Sequence, residues 1–310
     1  MLIRILGAGA GGGFPQWNCN CRNCAAVRAG APGFVARTQS SLAVSSDGKH
    51  WALLNASPDL RQQIAANPPL QVAPGAPLRA SPIKAAVLTN GDVDHMAGLI
   101  NLREMQPFSV YATERVLGVM AANSVFNILA DGVVGRHPLA LDEPVALTGG
   151  GVDLGLTVTA FAVPGKVALY LEDASAGPSL GTQVGDTIGL EIAEAGSGRS
   201  FFYIPGIARL DEAEERRLRG ASLVFLDGTL YDDEEMIRQG LMPKTGERMG
   251  HISMSGPKGS IAAFEKLGVK RQIYVHINNS NPVLDDNSAE HRAVVAAGWT
   301  IGKDTMEVTL

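Results

Sequence analysis

Two carboxylates and an imidazole crowd into five consecutive residues of this chain, Gly-Asp-Val-Asp-His. Packing gives no reason to place Asp92 and Asp94 beside His95, whereas carboxylate and imidazole groups are ligands for divalent metals. Asp227 and His276 each follow an apolar run, LVFL and IYV, that is typical of a strand. A single residue of this kind is most often a turn residue or a helix cap, so the prediction of a metal site depends on the cluster.

The three cysteines of the chain form a second candidate site. Cys19, Cys21 and Cys24 lie within six residues, and in a reducing compartment this spacing indicates a metal rather than a disulfide. The C-x-C-x₂-C pattern offers three soft ligands to a tetrahedral Zn²⁺, which needs one more. We expect a structural zinc at residues 19–24, with three buried free thiols as the alternative.

The other histidines carry weaker signals. His251, in G-H-I-S-M, lies in a loop between helix candidates. An unpaired loop histidine is more often a surface residue, and the alternative is a site residue that donates a proton or contacts substrate. His50, His137 and His291 stand in turn-like or helical polar surroundings, and we interpret them as surface groups.

The elements that must position these residues alternate along the chain. Apolar runs predict strands, and longer amphipathic stretches predict helices. The predicted strands are LIRIL, SLAVSS, HWALLN, KAAVLTN, FSVYAT, LTVTAFAV, TIGLEIAE, SFFYIP, SLVFLDG and RQIYVHIN. The predicted helices are DLRQQIAAN, HMAGLINLREM, ERVLGVMAANSVFNIL, DEAEERRLRG, GSIAAFEKLG and SAEHRAVVAAG. Hairpins mixed with strand-then-helix units favour two sheets covered by outer helices.

Local signals refine this pattern. Asp47-Gly48 is a hairpin turn signal, and Asp211 and Ser288 stand where helix N-caps belong. The glycine run at 7–13 is not followed directly by the helix that a dinucleotide fingerprint requires, so it predicts a tight loop near the site. Ligand residues that follow different strands can converge where strand ends meet.

Composition limits the class of protein. The 310 residues, 45% hydrophobic and 18% charged, suit a single globular domain spanning 1–310. The net charge of −5 comes without a basic stripe, so nucleic acid is not an expected partner. The N-terminus has too short an apolar run for a signal peptide, and no run approaches the ~20 residues that cross a bilayer. We therefore expect a cytoplasmic protein without a membrane segment.

The segment T-N-G-D-V-D-H-M-A-G-L resembles the metallo-β-lactamase signature T-H-x-H-x-D-H-x-x-G. The resemblance implies an α/β fold of four layers, αββα, in which two mixed sheets are flanked by helices. It also implies two metal positions, the first at Asn90, Asp92 and Lys166. That position lacks its imidazoles, and a charged lysine offers no lone pair. Lys166 is either solvated or replaces the lost cation by pairing with Asp92 or with an anionic substrate.

The second metal position implied by the resemblance keeps its ligands, Asp94, His95 and His276. Asp227 stands at the bridging position, where it is a fourth ligand or orients one. Two histidines and one carboxylate with open positions are the ligand group of non-haem Fe(II) centres that activate O₂. Zinc at the same ligands would suit a hydrolase.

Several motifs together resemble the coenzyme PQQ synthesis protein B family, almost end to end. They are L-G-A-G-A-G-G-G-F-P-Q-W-N-C-N-C-x-x-C, N-A-S-P-D-L-R-Q-Q-I, T-N-G-D-V-D-H-M-A-G-L, F-L-D-G-T, M-G-H-I-S-M-S-G and V-H-I-N-N-S-N-P. The resemblance implies a role in making pyrroloquinoline quinone (PQQ) from a Glu-Tyr unit. The implied activity is iron-dependent hydroxylation of the tyrosine ring, and the alternatives are a carrier or transport accessory for PQQ or its precursor and a metal-dependent hydrolase.

The same resemblance assigns further roles. Asp227, His251 or Lys166 would manage protons and the carboxylates of an anionic Glu-Tyr substrate, and Arg61 is a further candidate anchor. In phosphodiesterase relatives a histidine completes the cysteine site. Asn279 stands at that place here, so Asn279, His251 and water remain open as the fourth zinc ligand. A homodimer is among the expected assemblies.

Overall fold

The strands of the computed structural model, which describes residues 1–179 and 181–310, form two sheets. In chain order the strands are β1 (Leu2–Gly7), β2 (Ser41–Ser45), β3 (Trp51–Leu54), β4 (Ile83–Val87), β5 (Phe108–Ala112), β6 (Val134–Pro138), β7 (Pro144–Gly149), β8 (Val152–Ala162), β9 (Ile188–Glu194), β10 (Ser200–Ile204), β11 (Val224–Asp227), β12 (Gln272–Val275), β13 (Trp299–Ile301) and β14 (Glu307–Thr309). The first sheet has the order β14-β1-β2-β3-β4-β5-β6, and the second has the order β13-β12-β11-β10-β9-β8-β7.

Both sheets are mixed in direction. In the first sheet, β1 to β3 pair antiparallel and β3 to β6 pair parallel. In the second sheet, β7 to β10 pair antiparallel and β10 to β13 pair parallel. Each sheet therefore has a parallel half. The polar residues that follow the parallel strands lie at the same edge of the sheet.

The helices are short and lie after or between strands. They are α1 (Arg22–Arg28), α2 (Leu60–Ala66), α3 (Val93–Met96), α4 (Glu114–Ala122), α5 (Glu212–Leu218), α6 (Glu235–Arg238), α7 (Gly246–Met249), α8 (Ser260–Phe264) and α9 (Ala289–Ala296). Turns of 3₁₀ helix occupy Pro68–Leu70, Ala97–Leu102, Ser124–Ile128, Leu169–Leu171, Ala174–Ser179 and Pro282–Leu284.

Three hydrophobic layers hold the sheets and helices together. The central layer joins the facing sides of the two sheets, with Val87 from one and Leu190 from the other. The outer face of the first sheet packs against α2 and α4 through Leu60 and Met120. The outer face of the second sheet packs against α5, α8 and α9; the contributing helix residues are Leu218, Phe264 and Val294. This is the predicted four-layer αββα arrangement, which the structure confirms.

The predicted turn and cap signals are present. Gly48 has φ +72° between the antiparallel strands β2 and β3, as the Asp47-Gly48 signal predicts. The Ser288 hydroxyl accepts a hydrogen bond from the His291 N–H at 2.9 Å. Asp211 begins α5 in a capping box with Glu214. These contacts satisfy N–H groups that a helix start leaves without partners.

The structure differs from the predicted elements in several places. The helix predicted over HMAGLINLREM is one turn of α3 followed by 3₁₀ helix. The helix predicted over ERVLGVMAANSVFNIL is α4 followed by 3₁₀ helix. The sequence pattern predicts neither the strands β6, β7, β13 and β14 nor the helices α1, α6 and α7. None of the described helices is long and apolar enough to span a bilayer.

Candidate metal centre

Residues that follow strands in both sheets meet in the structure. Asp94 and His95 lie in α3, shortly after β4 of the first sheet, while His276 directly follows β12 of the second. One ligand atom from each of these three residues lies within 4.8 Å of the other two. Residues that the sequence separates by about 180 positions are thus adjacent in space, as the strand-end argument predicts.

The three side chains face one another closely. Asp94 Oδ2 lies 3.1 Å from His276 Nε2 and 3.8 Å from His95 Nε2. The two imidazoles meet edge to face, with ring centroids 5.1 Å apart. His276 has φ +55°, a left-handed conformation that costs energy for a residue with a side chain and that is concentrated at functional sites.

Asn90 fixes the proton position on His95. The Asn90 Oδ1 atom accepts the Asp92 backbone N–H at 2.9 Å, which identifies this atom as the amide oxygen. The same oxygen lies 2.9 Å from His95 Nδ1, so Nδ1 must carry the proton in that contact. The lone pair of His95 Nε2 is therefore free on the side that faces Asp94.

Thr229 orients His276 in a similar way. Its hydroxyl donates to Asp227 Oδ1 at 2.7 Å and lies 2.8 Å from His276 Nδ1. A hydroxyl has one proton, so the Thr229 oxygen is left to accept from the His276 Nδ1–H. This arrangement directs His276 Nε2 toward Asp94.

The electrostatics of the group favour a positive charge at its centre. Burial raises the pKa of Asp94, but His95 and His276 outweigh burial and hold that pKa well below its usual range. Burial lowers the pKa of His95, which keeps this imidazole neutral. Burial also lowers the pKa of His276, but the hydrogen bond to Asp94 outweighs it and the net pKa is raised.

The residues present fit a divalent metal. His95 Nε2 is buried and has no hydrogen-bond partner among the described residues. A buried nitrogen without a partner is costly, and a metal ion bound by Asp94, His95 and His276 would satisfy it. Gly11 allows the glycine-rich loop to approach this group, because a Cβ built at Gly11 would lie 3.3 Å from Asp94 Oδ2.

Asp227 and His251 form a second group beside the first. Asp227 is fully buried, and its Oδ2 lies 2.7 Å from His251 Nδ1 and accepts the Ile207 N–H at 3.0 Å. Burial raises the pKa of Asp227, but His251 outweighs burial and the net pKa is lowered. Asp227, His251 and His276 also offer ligand atoms within 4.8 Å of one another. His251 therefore lies at the site, and Asp227 is placed either to bind a metal together with His251 and His276 or to orient His251 through its Nδ1.

Asp92 and Lys166 make separate contacts in the structure. Asp92 Oδ1 accepts the Leu169 N–H at 3.1 Å, so this carboxylate holds the loop after β8. The Lys166 ammonium lies 3.5 Å from Glu172 Oε1. Of the alternatives for Lys166, pairing with Asp92 is not the contact made among the described residues, because the loop after β8 brings Glu172 to the lysine.

The three cysteines meet around the side chain of Asn279. Asn279 Nδ2 lies 3.1 Å, 3.6 Å and 3.4 Å from the sulfur atoms of Cys19, Cys21 and Cys24 respectively. Burial raises the pKa of Cys24 to about 11. Burial also raises the pKa of Cys21, but hydrogen bonds to Cys24, Cys19 and Asn279 outweigh it and the net pKa is lowered. Of the three open candidates for the fourth zinc ligand, His251 is engaged with Asp227, whereas Asn279 touches all three sulfurs.

The remaining histidines lie away from both sites. His50 contacts Asp47 through Nδ1 at 2.8 Å, and His137 stacks on Tyr111 with ring centroids 4.9 Å apart. His291 Nδ1 lies 2.8 Å from the Val283 carbonyl. Thr229 has no sequence signal of its own, although it lies in the F-L-D-G-T motif.

A cavity of about 700 Å³ opens over the candidate metal centre. Its wall includes Asp94, His95, His251 and His276, and it reaches Cys19 at the cysteine site. This volume is within the usual range for sites that bind small molecules, roughly 300–1,000 Å³. The candidate centre is therefore accessible to a small-molecule reactant.

Comparison with known proteins identifies the superfamily of the chain. Residues 50–277 match the family described as the beta-lactamase superfamily domain, and the chain belongs to that superfamily by sequence as well as by its αββα fold. Within it, the chain belongs to the coenzyme PQQ synthesis protein B family. Proteins of that name from Methylorubrum populi and Bradyrhizobium diazoefficiens are 50% and 49% identical to it over the full length of both chains.

Solved structures agree with this assignment. The Zn²⁺-bound crystal structure of PqqB from Methylobacterium extorquens has a TM-score of 0.92 and 49% identity, covering all of both chains. A diphosphatase from the PhnP family has a TM-score of 0.68 at 21% identity, covering 99% of this chain and 96% of the other. At that identity the second likeness concerns the fold alone.

Proposed function

We propose that this protein acts in the cytoplasm in the biosynthesis of PQQ, as an iron- and O₂-dependent hydroxylase of the tyrosine ring of a Glu-Tyr precursor. The observation that carries the proposal is the set Asp94, His95 and His276, in which one buried imidazole nitrogen has no partner among the described residues. Two histidines and one carboxylate leave coordination positions open for reactants. The names of the relatives support the pathway.

The metal that suits this reaction is Fe(II). Bound Fe(II) would supply the redox chemistry by which O₂ reacts with an aromatic ring. In a hydroxylation of this type one atom of O₂ enters the ring and the other leaves as water, so an external two-electron reductant is required. Asn90 and Thr229 contribute by holding the two imidazoles with Nε2 toward the metal position.

His251 is the residue that we assign to proton transfer. Its Nδ1 is held by the buried carboxylate of Asp227 at 2.7 Å, which leaves Nε2 for exchange with a substrate. The residue lines the cavity, so a phenol bound there lies within its reach. An imidazole oriented by a carboxylate is a common general base, and here it would accept the phenol proton.

Isotope incorporation tests the hydroxylase directly. The protein is reconstituted with Fe(II) without oxygen, and then Glu-Tyr, ascorbate and ¹⁸O₂ are added. We expect a product that carries ¹⁸O on the ring, measured by mass spectrometry. Asp94→Asn should abolish product because it removes a charged ligand, whereas Asp131→Asn, at an exposed aspartate, should not. A fully occupied iron site without ¹⁸O incorporation would contradict the proposal.

A metal-dependent hydrolase is the second candidate, and the zinc in the structure from Methylobacterium extorquens favours it. Zinc is redox-inert, and it activates water for attack on an ester or phosphodiester. Turnover of such a substrate with zinc alone and without O₂ would replace the hydroxylase by the hydrolase. Tight binding of PQQ without turnover under either condition would instead favour a carrier.

A further inference from the structure

Three charged side chains lie together in the wall of the cavity, apart from the metal ligands. The Glu172 carboxylate lies between two ammonium groups, 3.5 Å from Lys166 Nζ and 3.8 Å from Lys244 Nζ. Both distances exceed the usual 2.7–3.2 Å of an N–H···O hydrogen bond. The two lysines thus share one carboxylate at long range and together carry an excess positive charge.

The position of this lysine pair is set by the backbone around it. A Cβ built at Gly250 would lie 3.0 Å from Lys166 Cγ, so the lysine stem packs against a bare glycine. The Lys166 carbonyl accepts the Thr187 hydroxyl at 2.8 Å. Lys244 precedes α7, whose first turn is capped by the Thr245 hydroxyl. Both lysine side chains are partly buried, with 21% of Lys166 and 35% of Lys244 exposed.

The cavity that holds the lysine pair also has apolar side chains in its wall. Its lining residues include Leu169, Met236, Leu241, Met242 and Met249. Methionine side chains adapt to flat rings and make favourable sulfur contacts with aromatic groups. A ligand that fits this wall has an aromatic or apolar body with an anionic group at one end.

We propose that Lys166 and Lys244 form a carboxylate-binding subsite for an aromatic carboxylic acid, with Glu172 as the counter-ion that the ligand's carboxylate displaces. This deepens the proposed function and rests on it, because it names the group by which the substrate of that cavity is recognised. A carboxylate of the ligand gains two charge-assisted hydrogen bonds that Glu172 makes only weakly. Glu172 prevents the two ammonium groups from repelling each other when no ligand is bound.

The subsite is tested by equilibrium binding rather than by turnover. The probes are Glu-Tyr and the pair 3-(4-hydroxyphenyl)propionate and its amide, measured by calorimetry on zinc-loaded protein so that no oxygen chemistry occurs. We expect the acid to bind at least about tenfold more tightly than the amide, as loss of a charged hydrogen bond requires. Lys166→Met and Lys244→Met should each remove most of that preference, whereas Lys258→Met, at an exposed lysine, should leave it unchanged.

Displacement of Glu172 by the ligand's carboxylate can be tested separately. Glu172→Gln removes the competing carboxylate, so it should tighten binding of the acid severalfold and leave the amide unaffected. Weaker acid binding by Glu172→Gln would overturn the exchange. Equal binding of acid and amide, or a preference that survives both lysine substitutions because the carboxylate binds the metal, would overturn the subsite. Binding of the small acid is independent of the test of hydroxylase activity. If Glu-Tyr gains no oxygen, the affinity measured for the small acid is unchanged.

Discussion

At the scale of single residues, Asn90 shows how a lost ligand can acquire another role. The metallo-β-lactamase signature has a histidine at this position, and Asn90 cannot replace it as a strong metal ligand. Its amide oxygen instead accepts both the Asp92 N–H and the His95 Nδ1–H. Asn90 thereby orients a ligand of the candidate metal centre.

Replacing Asn90 tests this orienting role. Asn90→Ala should weaken metal binding by about 10- to 100-fold, the usual cost of losing a group that orients a metal-bound histidine. The measurement is a Mn(II) titration followed by electron paramagnetic resonance. Asn90→Asp keeps an oxygen acceptor and should retain most of the affinity, as should the control Asn123→Ala in an exposed position. Equal affinity of Asn90→Ala and wild type would show that Asn90 does not orient His95.

At the scale of elements, the sequence predicts what has a strong repeating pattern. The buried strands and the helices with cap signals are predictable because apolar periodicity and caps are local properties. The strands β13 and β14 have three residues each, too few to establish a period of two. The helix predicted after His95 tightens to 3₁₀ where Gly98 packs on the Ser57 carbonyl, which would lie 2.0 Å from a Cβ at this position.

Contacts between loops account for what sequence reasoning missed in the site. Asp94, His95 and His276 are predictable from the sequence because each follows a strand and belongs to a recognisable motif. Glu172 and Lys244 lie in loops without a repeating pattern, and their pairing with Lys166 exists only because the fold brings those loops together. Such contacts depend on tertiary structure and leave no local signal.

The cysteine site joins the segment that leads into α1 to the loop after β12, so its loss should affect how these elements are held together. Cys19 and Cys24 lie at the start of α1 and contact Asn279, which follows β12. Zinc at this site would connect the two segments, and structural zinc contributes folding free energy. Cys24→Ser should lose one zinc per chain and lower the Tm, as measured by metal analysis and calorimetry.

Asn279→His is the matched variant for the cysteine site. It adds a strong nitrogen ligand beside the three sulfurs, so zinc binding should tighten and the Tm should rise. An unchanged zinc content in Cys24→Ser would contradict a zinc site at the cysteines. A lower zinc affinity in Asn279→His would show that the asparagine side chain is not at the fourth position.

At the scale of the whole molecule, the candidate metal centre connects the two sheets. Asp94 and His95 follow a strand of the first sheet, and His276 follows a strand of the second. The central hydrophobic layer already joins the facing sides of the two sheets. A cation bound by residues from both sheets adds a link at the edge that carries the cavity, so metal binding and folding are coupled.

This coupling makes the stability of the entire protein depend on the metal. Mn(II) is a suitable probe because it prefers oxygen and nitrogen ligands to thiolates, so it avoids the cysteine site. At a free concentration about 100 times its Kd, it should stabilise the folded protein by about 2.7 kcal/mol. Calorimetry should show a higher Tm in a single transition for wild type and no shift for His276→Ala. His137→Ala, at an exposed histidine of the first sheet, should keep the shift. An equal shift in His276→Ala would contradict this coupling, because the metal would then bind without the ligand that follows β12 of the second sheet.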